Sequence, residues 1–221
     1  MSEMVIKINE TGVISVEETI EGVKSIKLIE PDGLIKCISR SLTHGISTGL
    51  LPGGCLSFIQ NENGDIGISL LFPDNKADIS YYETLYPDFP LPKMVFSFQV
   101  NSDGRVFNCG LGVTAADKVL KPDTKMFRYP FSNVSGFRLC IGNNILPKCK
   151  SLHTLASLPY LILSMPNNND HFAQRYNKPG LEMRNLLELL KDKEPEYYYG
   201  NILVPFEGVV LNDFINLKNA V

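Results

Sequence analysis

The sequence predicts an α+β fold: an antiparallel β-meander first, with helices following it on one face or at one end. Three observations carry that expectation. Short β-rich segments bounded by turn residues fill the chain up to about Val113. Helical spacing of apolar residues dominates from Ser151 onward. Between them, residues 124–147 hold no sustained period of either kind.

Taken in order, Val5-Ile6-Lys7-Ile8 and Ser25-Ile26-Lys27-Leu28-Ile29 read as strands separated by polar turns. Pro31-Asp32-Gly33 is expected to turn the chain into a short amphipathic helix over residues 34–43, because Leu34, Ile35, Ile38 and Leu42 recur at helical spacing. Pro52-Gly53-Gly54 breaks the chain before a hairpin. Residues 56–59 and 66–70 flank Asn61-Glu62-Asn63-Gly64-Asp65, where Asn-Gly tolerates the positive φ of a tight turn. A Pro- and Tyr-rich connection, residues 81–92, leads to a second hairpin with arms 94–100 and 106–113 around Ser102-Asp103-Gly104.

Ser151 is placed to N-cap a helix over residues 152–158, and Pro159 to begin a new turn. Pro179 suits the first turn of a helix reaching about Asp192, with Met183, Leu186, Leu187 and Leu190 on one face. The polar loop Asn167-Asn168-Asn169-Asp170-His171 separates the two helical regions. No linker or repeat divides the chain, so one domain is expected over residues 1–221, with residues 1–50 able to form an extension or small lobe.

Composition excludes several classes of function. Of 221 residues, 44% are hydrophobic and 20% charged, an ordinary globular balance. A formal net charge of -3, with no basic run longer than Lys148 to Lys150, offers nucleic acid no attractive field. No apolar stretch approaches the ~20 residues of a membrane span, and Met1-Ser2-Glu3-Met4 begins no secretory signal. Five cysteines, at 37, 55, 109, 140 and 149, make an odd and scattered set rather than a disulfide framework. Reduced thiols in a cytoplasm are the expectation, and a reduced thiol can be a nucleophile.

Cys140 is the candidate. A cysteine in a buried strand is ordinarily a small core residue. Cys140 instead follows Pro130-Phe131-Ser132-Asn133-Val134-Ser135-Gly136-Phe137-Arg138-Leu139 and precedes Ile141-Gly142-Asn143-Asn144. That segment is irregular and rich in turns, the setting in which functional residues concentrate. Arg138 and Lys148 are the cations that would favour its thiolate if they approach it.

Residues 129–144 resemble the active-site segment of ubiquitin-conjugating enzymes, in which a His-Pro-Asn motif is followed, after a turn containing Gly, by the catalytic Cys. Asn133 matches the motif Asn, Gly136 the turn Gly and Cys140 the nucleophile, while Phe131 and Ser132 stand where His and Pro would be. A broader resemblance runs from about Ser25 onward. Leu91-Pro92-Lys93-Met94-Val95-Phe96, Tyr129-Pro130-Phe131-Ser132-Asn133-Val134, Cys140-Ile141-Gly142-Asn143-Asn144 and Met165-Pro166-Asn167-Asn168 are similar to the prokaryotic ubiquitin-conjugating-enzyme-like family D. That group includes protein B of the PRTRC cassette.

The resemblance implies a ubiquitin-conjugating-like meander with flanking helices and a thioester carrier at Cys140. It also implies a ubiquitin-like protein as cargo, a ThiF-type activating enzyme and a JAB-type metallopeptidase as pathway partners. The family lacks the motif His and places one after the Cys instead, which agrees with Phe131 and makes His171 the candidate to assist an incoming amine. By the same resemblance Asn133 is the oxyanion donor, with Asn143 and Asn144 as lesser candidates.

The remaining candidates point elsewhere. His153 reads as a packing or surface residue at the start of a helix, and His44 as a helix-end residue. Cys140, Cys149, His153 and His171 are zinc-type ligands, but eight residues between the cysteines exceed the two to four of structural zinc sites. Cys109-Gly110-Leu111-Gly112 lies inside a predicted strand and opens no helix, so it is a close-packed strand rather than a phosphate loop. Neither metal nor cofactor is expected. Two other functions use the same residues: a non-catalytic module that binds a ubiquitin-like protein, and a cysteine hydrolase built on Cys140 and His171.

Overall fold

The computed structural model describes residues 3–20, 22–42, 48–61 and 63–216. His44 lies outside the described residues. The chain falls into two compact units, residues 1–49 and 50–221.

The first unit is an antiparallel sheet of β1 (Glu3–Ile8), β2 (Ile14–Ile20) and β3 (Val23–Ile29), followed by helix α1 (Pro31–Leu42). Strand β2, ISVEETI, lies in the stretch read from sequence as turns; its glutamates weaken the alternation. Glu17 on β2 bonds both Lys7 and Lys24, each at 2.8 Å, across the two neighbouring strands. Helix α1 starts at Pro31 rather than after the expected turn. A proline's fixed φ suits a first helical position, and Asp32 meets the positive end of the helix dipole.

In the second unit the meander is β4 (Cys55–Gln60), β5 (Ile66–Phe72), β8 (Met94–Val100) and β9 (Val106–Thr114), all antiparallel. Between β5 and β8 the chain makes a separate hairpin, β6 (Asn75–Tyr81) with β7 (Thr84–Leu91). The sequence hid β7 behind Pro87 and Pro90. A two-stranded ribbon leaves one edge of each strand free, where a missing N–H costs nothing. Three short strands follow: β10 (Lys125–Phe127), β11 (Val134–Ser135) and β12 (Arg138–Leu139). None is long enough to show a period.

Helix α2 (Leu152–Leu163) runs through Pro159 instead of restarting there, because Leu155, Leu158, Pro159, Ile162 and Leu163 form one buried stripe. Helix α3 (Met183–Leu190) begins later than Pro179. Gly180 has φ +66°, and the Asn177 side chain bonds the Leu181 N–H and carbonyl at 2.8 and 3.0 Å, so these residues form a loop. The expected face of α3 is fully buried. A short helix α4 (Tyr197–Asn201) carries Tyr198, whose hydroxyl donates to the Pro90 carbonyl at 2.8 Å and so ties α4 to β7.

Alternation splits the sheet into two faces. Met94, Phe96, Phe98 and Val100 point into the main core with Leu111, Val113, α2 and α3. Val95 joins a second cluster with Met126, Phe137, Leu211 and Phe214. The last two belong to helix α5 (Leu211–Ile215), which follows β13 (Pro205–Val210), the partner of β10. Phe206 on β13 stacks on Phe137 at 4.6 Å between ring centroids. Gly112 faces this cluster: a Cβ there would lie 2.7 Å from Met126 Cε and 3.0 Å from the Phe137 ring. The glycines of β9 therefore serve close packing, as their place inside a strand suggested.

Candidate active site

Strands β11 and β12 form a hairpin whose turn is Gly136-Phe137, with Val134 opposite Leu139 and Ser135 opposite Arg138. Gly136 takes φ +62°, and Phe137 anchors the turn in the second cluster. The Cys140 N–H continues the ladder by one step, donating to the Asn133 carbonyl at 2.7 Å. The hairpin thereby brings Asn133 and Cys140 face to face, although six residues separate them in sequence.

Cys140 is exposed, whereas Cys109 is buried and Cys55 and Cys149 are half-buried. Burial, and secondarily the nearby Cys149 thiol, pushes the Cys109 thiol up to about 12. Burial also raises the thiols of Cys149 and Cys55. Since the thiolate is the nucleophile, these three are poorly placed to react. The Lys148 ammonium lies 3.4 Å from the Asp103 carboxylate, so its ion pair is with Asp103. Arg138 and Cys140 line one depression together.

Cys140 stands between two depressions. On one side is a groove of about 560 Å³ between Val106–Cys109 and the Arg138–Gly142 segment, with His171 also on its wall. On the other is a hollow of about 130 Å³ shared by Cys140 with Asn133, Pro166, Asn168 and Asp170. His153 lines neither and sits exposed on α2.

The loop that carries His171 is pinned to the hairpin. The Asn133 N–H donates to the Asp170 carbonyl at 2.8 Å, one residue before His171. Asn133 and His171 both adopt left-handed backbone, φ +65° and +58°, which Asn and His tolerate better than most residues. The Asn133 side-chain amide makes a long bond, 3.5 Å, to the Pro166 carbonyl. Asp170 folds onto its own loop: its carboxylate accepts from Asn168 Nδ2 at 2.8 Å, and its N–H donates to Asn168 Oδ1. The carboxylate thus engages Asn168, not the His171 imidazole.

Two residues without a predicted role hold this arrangement. Ser132, 1% exposed, donates its hydroxyl to Asn167 Oδ1 at 3.0 Å and accepts from the Asn168 N–H at 3.2 Å. Asn167, 8% exposed, also donates Nδ2 to the Ser80 carbonyl at 3.2 Å. Its backbone bonds Ser80 and Tyr82 at 2.8 and 2.9 Å. The Asn-rich run signals local turns, but nothing in it marks Asn167 as buried.

Among the described residues no cluster of three or more His, Cys, Asp or Glu could hold a metal ion, and no helix is long and apolar enough to cross a membrane. Comparison with protein-family models, curated proteins and solved structures gives no match for this chain.

Proposed function

We propose that the chain is a ubiquitin-conjugating-like enzyme that carries a ubiquitin-like modifier as a thioester on Cys140 and transfers it to an amine. The observation that supports it most is the exposed Cys140 thiol lying between the Asn133 hollow and the His171 groove. The order of the fold agrees with this reading: an antiparallel meander, an irregular cysteine segment, then helices, as in a ubiquitin-conjugating-like architecture.

In loading, the Cys140 thiolate attacks the thioester carbonyl presented by a ThiF-type activating enzyme. The carbonyl re-forms as that enzyme's thiolate leaves. One thioester replaces another, so little acid–base assistance is needed. In discharge, the amine attacks the carbonyl and negative charge gathers on its oxygen. The Asn133 amide is the donor for that oxyanion, a type of interaction worth ~10²–10³ in rate. His171 takes the amine proton, the C–S bond breaks, and Cys140 leaves as the thiolate. The ubiquitin-like cargo and a JAB-type metallopeptidase acting later in the pathway belong to the same proposal.

Incubation with the activating enzyme, the modifier and ATP tests it. A reductant-sensitive adduct should form on the wild type and on Cys149→Ala, and disappear in Cys140→Ala. An adduct that persists without Cys140 would overturn the reading.

A further inference from the structure

We propose that the open edge of β9 at Val106–Cys109 is a docking strand for the extended C-terminal segment of the modifier, which adds to the sheet there and delivers its terminal carbonyl to Cys140. This inference rests on Cys140 being the acyl carrier. One edge of β9 is paired with β8 from Val106 to Val113, with a bulge at Phe107. The opposite edge is used piecemeal. Strand β10 pairs at Val113 and Thr114, β12 pairs at Gly110 alone, and the Leu111 N–H bonds the Phe137 carbonyl at 2.9 Å. Beyond Gly110 the pairing of β9 with β12 stops, while the β12 side continues its ladder with β11 through the Cys140 N–H and the Asn133 carbonyl. From Val106 to Cys109 this edge meets no strand among the described residues, and the groove begins there.

An exposed edge is ordinarily protected by charge, proline or a covering segment. Val106, Phe107, Asn108 and Cys109 bring neither charge nor proline, and Phe107 is 57% exposed. The site is therefore suited to accept a strand, the mode in which main-chain hydrogen bonds supply affinity and side-chain pockets supply selectivity. Four strand residues span about 13 Å. The groove connects that edge to the thiol, and its lining includes Arg138 and His171 but no carboxylate. The terminus of the modifier arrives as an uncharged thioester, so the occupant is selected by the course of the groove from this edge to Cys140 rather than by charge.

Small thioesters of 2-mercaptoethanesulfonate, mixed with the wild-type chain, test the idea without the modifier. Cys140 displaces the small thiolate, which leaves with the thiol proton as free thiol, and the acylated protein is read by intact and peptide mass spectrometry. The probes are acetyl thioester, tetraglycyl thioester, and two tetraglycyl thioesters N-methylated at one or the other of two adjacent interior amides. Each rate is divided by that of the same thioester with N-acetylcysteine.

Tetraglycyl should acylate Cys140 about tenfold faster than acetyl on this scale, the yield of one or two net backbone hydrogen bonds. Because successive N–H groups of a strand point in opposite directions, one methylation should abolish the advantage and the other should retain it. Equal effects of the two methylations, or no tetraglycyl advantage, would overturn the docking strand and leave the carrier reading intact. A stable dimer of the chain that buries this edge would overturn it too. If no probe acylates Cys140, or Cys149 is acylated instead, the carrier reading fails and the docking strand with it.

Discussion

Replacing Asn167 by Ala removes the acceptor of the Ser132 hydroxyl and the donor to the Ser80 carbonyl, at 3.0 and 3.2 Å. It also strands a hydroxyl on a residue that is 1% exposed. Each lost bond costs about 0.5–1.5 kcal/mol net, and an unsatisfied buried group about 1–3 kcal/mol. Asn167→Ala should therefore destabilise the larger unit by about 2–4 kcal/mol. Ser132→Ala loses the shared bond and the one from the Asn168 N–H. Because both variants break the same bond, the double variant should be less destabilised than the sum of the singles by about 1 kcal/mol. Urea unfolding of the four proteins measures this as shifts of midpoint at a common slope. A coupling below ~0.3 kcal/mol would refute the reasoning. In that case the loop is held by its other bonds, from the Asn167 N–H to Ser80, from the Tyr82 N–H to Asn167, from the Asn133 N–H to Asp170 and from the Tyr81 hydroxyl to Asn169 Oδ1. The single variants should also load thioester almost normally and discharge it slowly, since the same loop positions Asn133 and His171.

Asn133→Gly keeps the left-handed backbone and removes the amide, so it should load normally and discharge to an amine ~10²-fold more slowly. Asn133→Ala should show the same kinetic defect plus about 1–2 kcal/mol of lost stability, seen in urea unfolding, because alanine at φ +65° is strained. His171→Ala should slow single-turnover discharge most near neutral pH. The defect should shrink towards pH 10, where an amine of pKa ~10.4 deprotonates unaided; a defect that is flat with pH would contradict a proton-accepting role. Gly112→Ala drives a methyl into Met126 and the Phe137 ring, and should lower stability by about 1–3 kcal/mol in the same unfolding assay.

Legibility in the sequence followed the length of each element and the chemistry of its residues. The meander strands at residues 56–59, 66–70, 94–100 and 106–113 each carry enough alternation and turn punctuation to be read directly. The buried face of α3 was equally plain, since four apolar residues at helical spacing have only one side on which to fall. Strands β11 and β12 were not legible: two residues cannot display a period, and their existence depends on Phe137 finding a pocket formed by segments distant in sequence. Strand β7 was masked because its prolines usually argue against a strand, an argument that weakens at a free edge. At the site, the turn-rich setting of Cys140 follows directly from its residues, but the exposure of its thiol does not. Nor does the burial of Asn167, because three consecutive asparagines look alike until the Ser132 hydroxyl and the Ser80 carbonyl select one of them.

The packing of Phe137 against Phe206, Leu211 and Phe214 has a consequence for how the chain is made. Synthesis at ~5–20 residues per second separates positions 137 and 214 by roughly 4–15 s. During that interval the hairpin that presents the thiol has left the ribosome's catalytic centre without its anchor. A growing chain thus holds a reactive sulfur before it holds the geometry that directs it. Stalling between these two positions would produce nascent chains whose Cys140 reacts with small electrophiles but is not yet organised to pass an acyl group on.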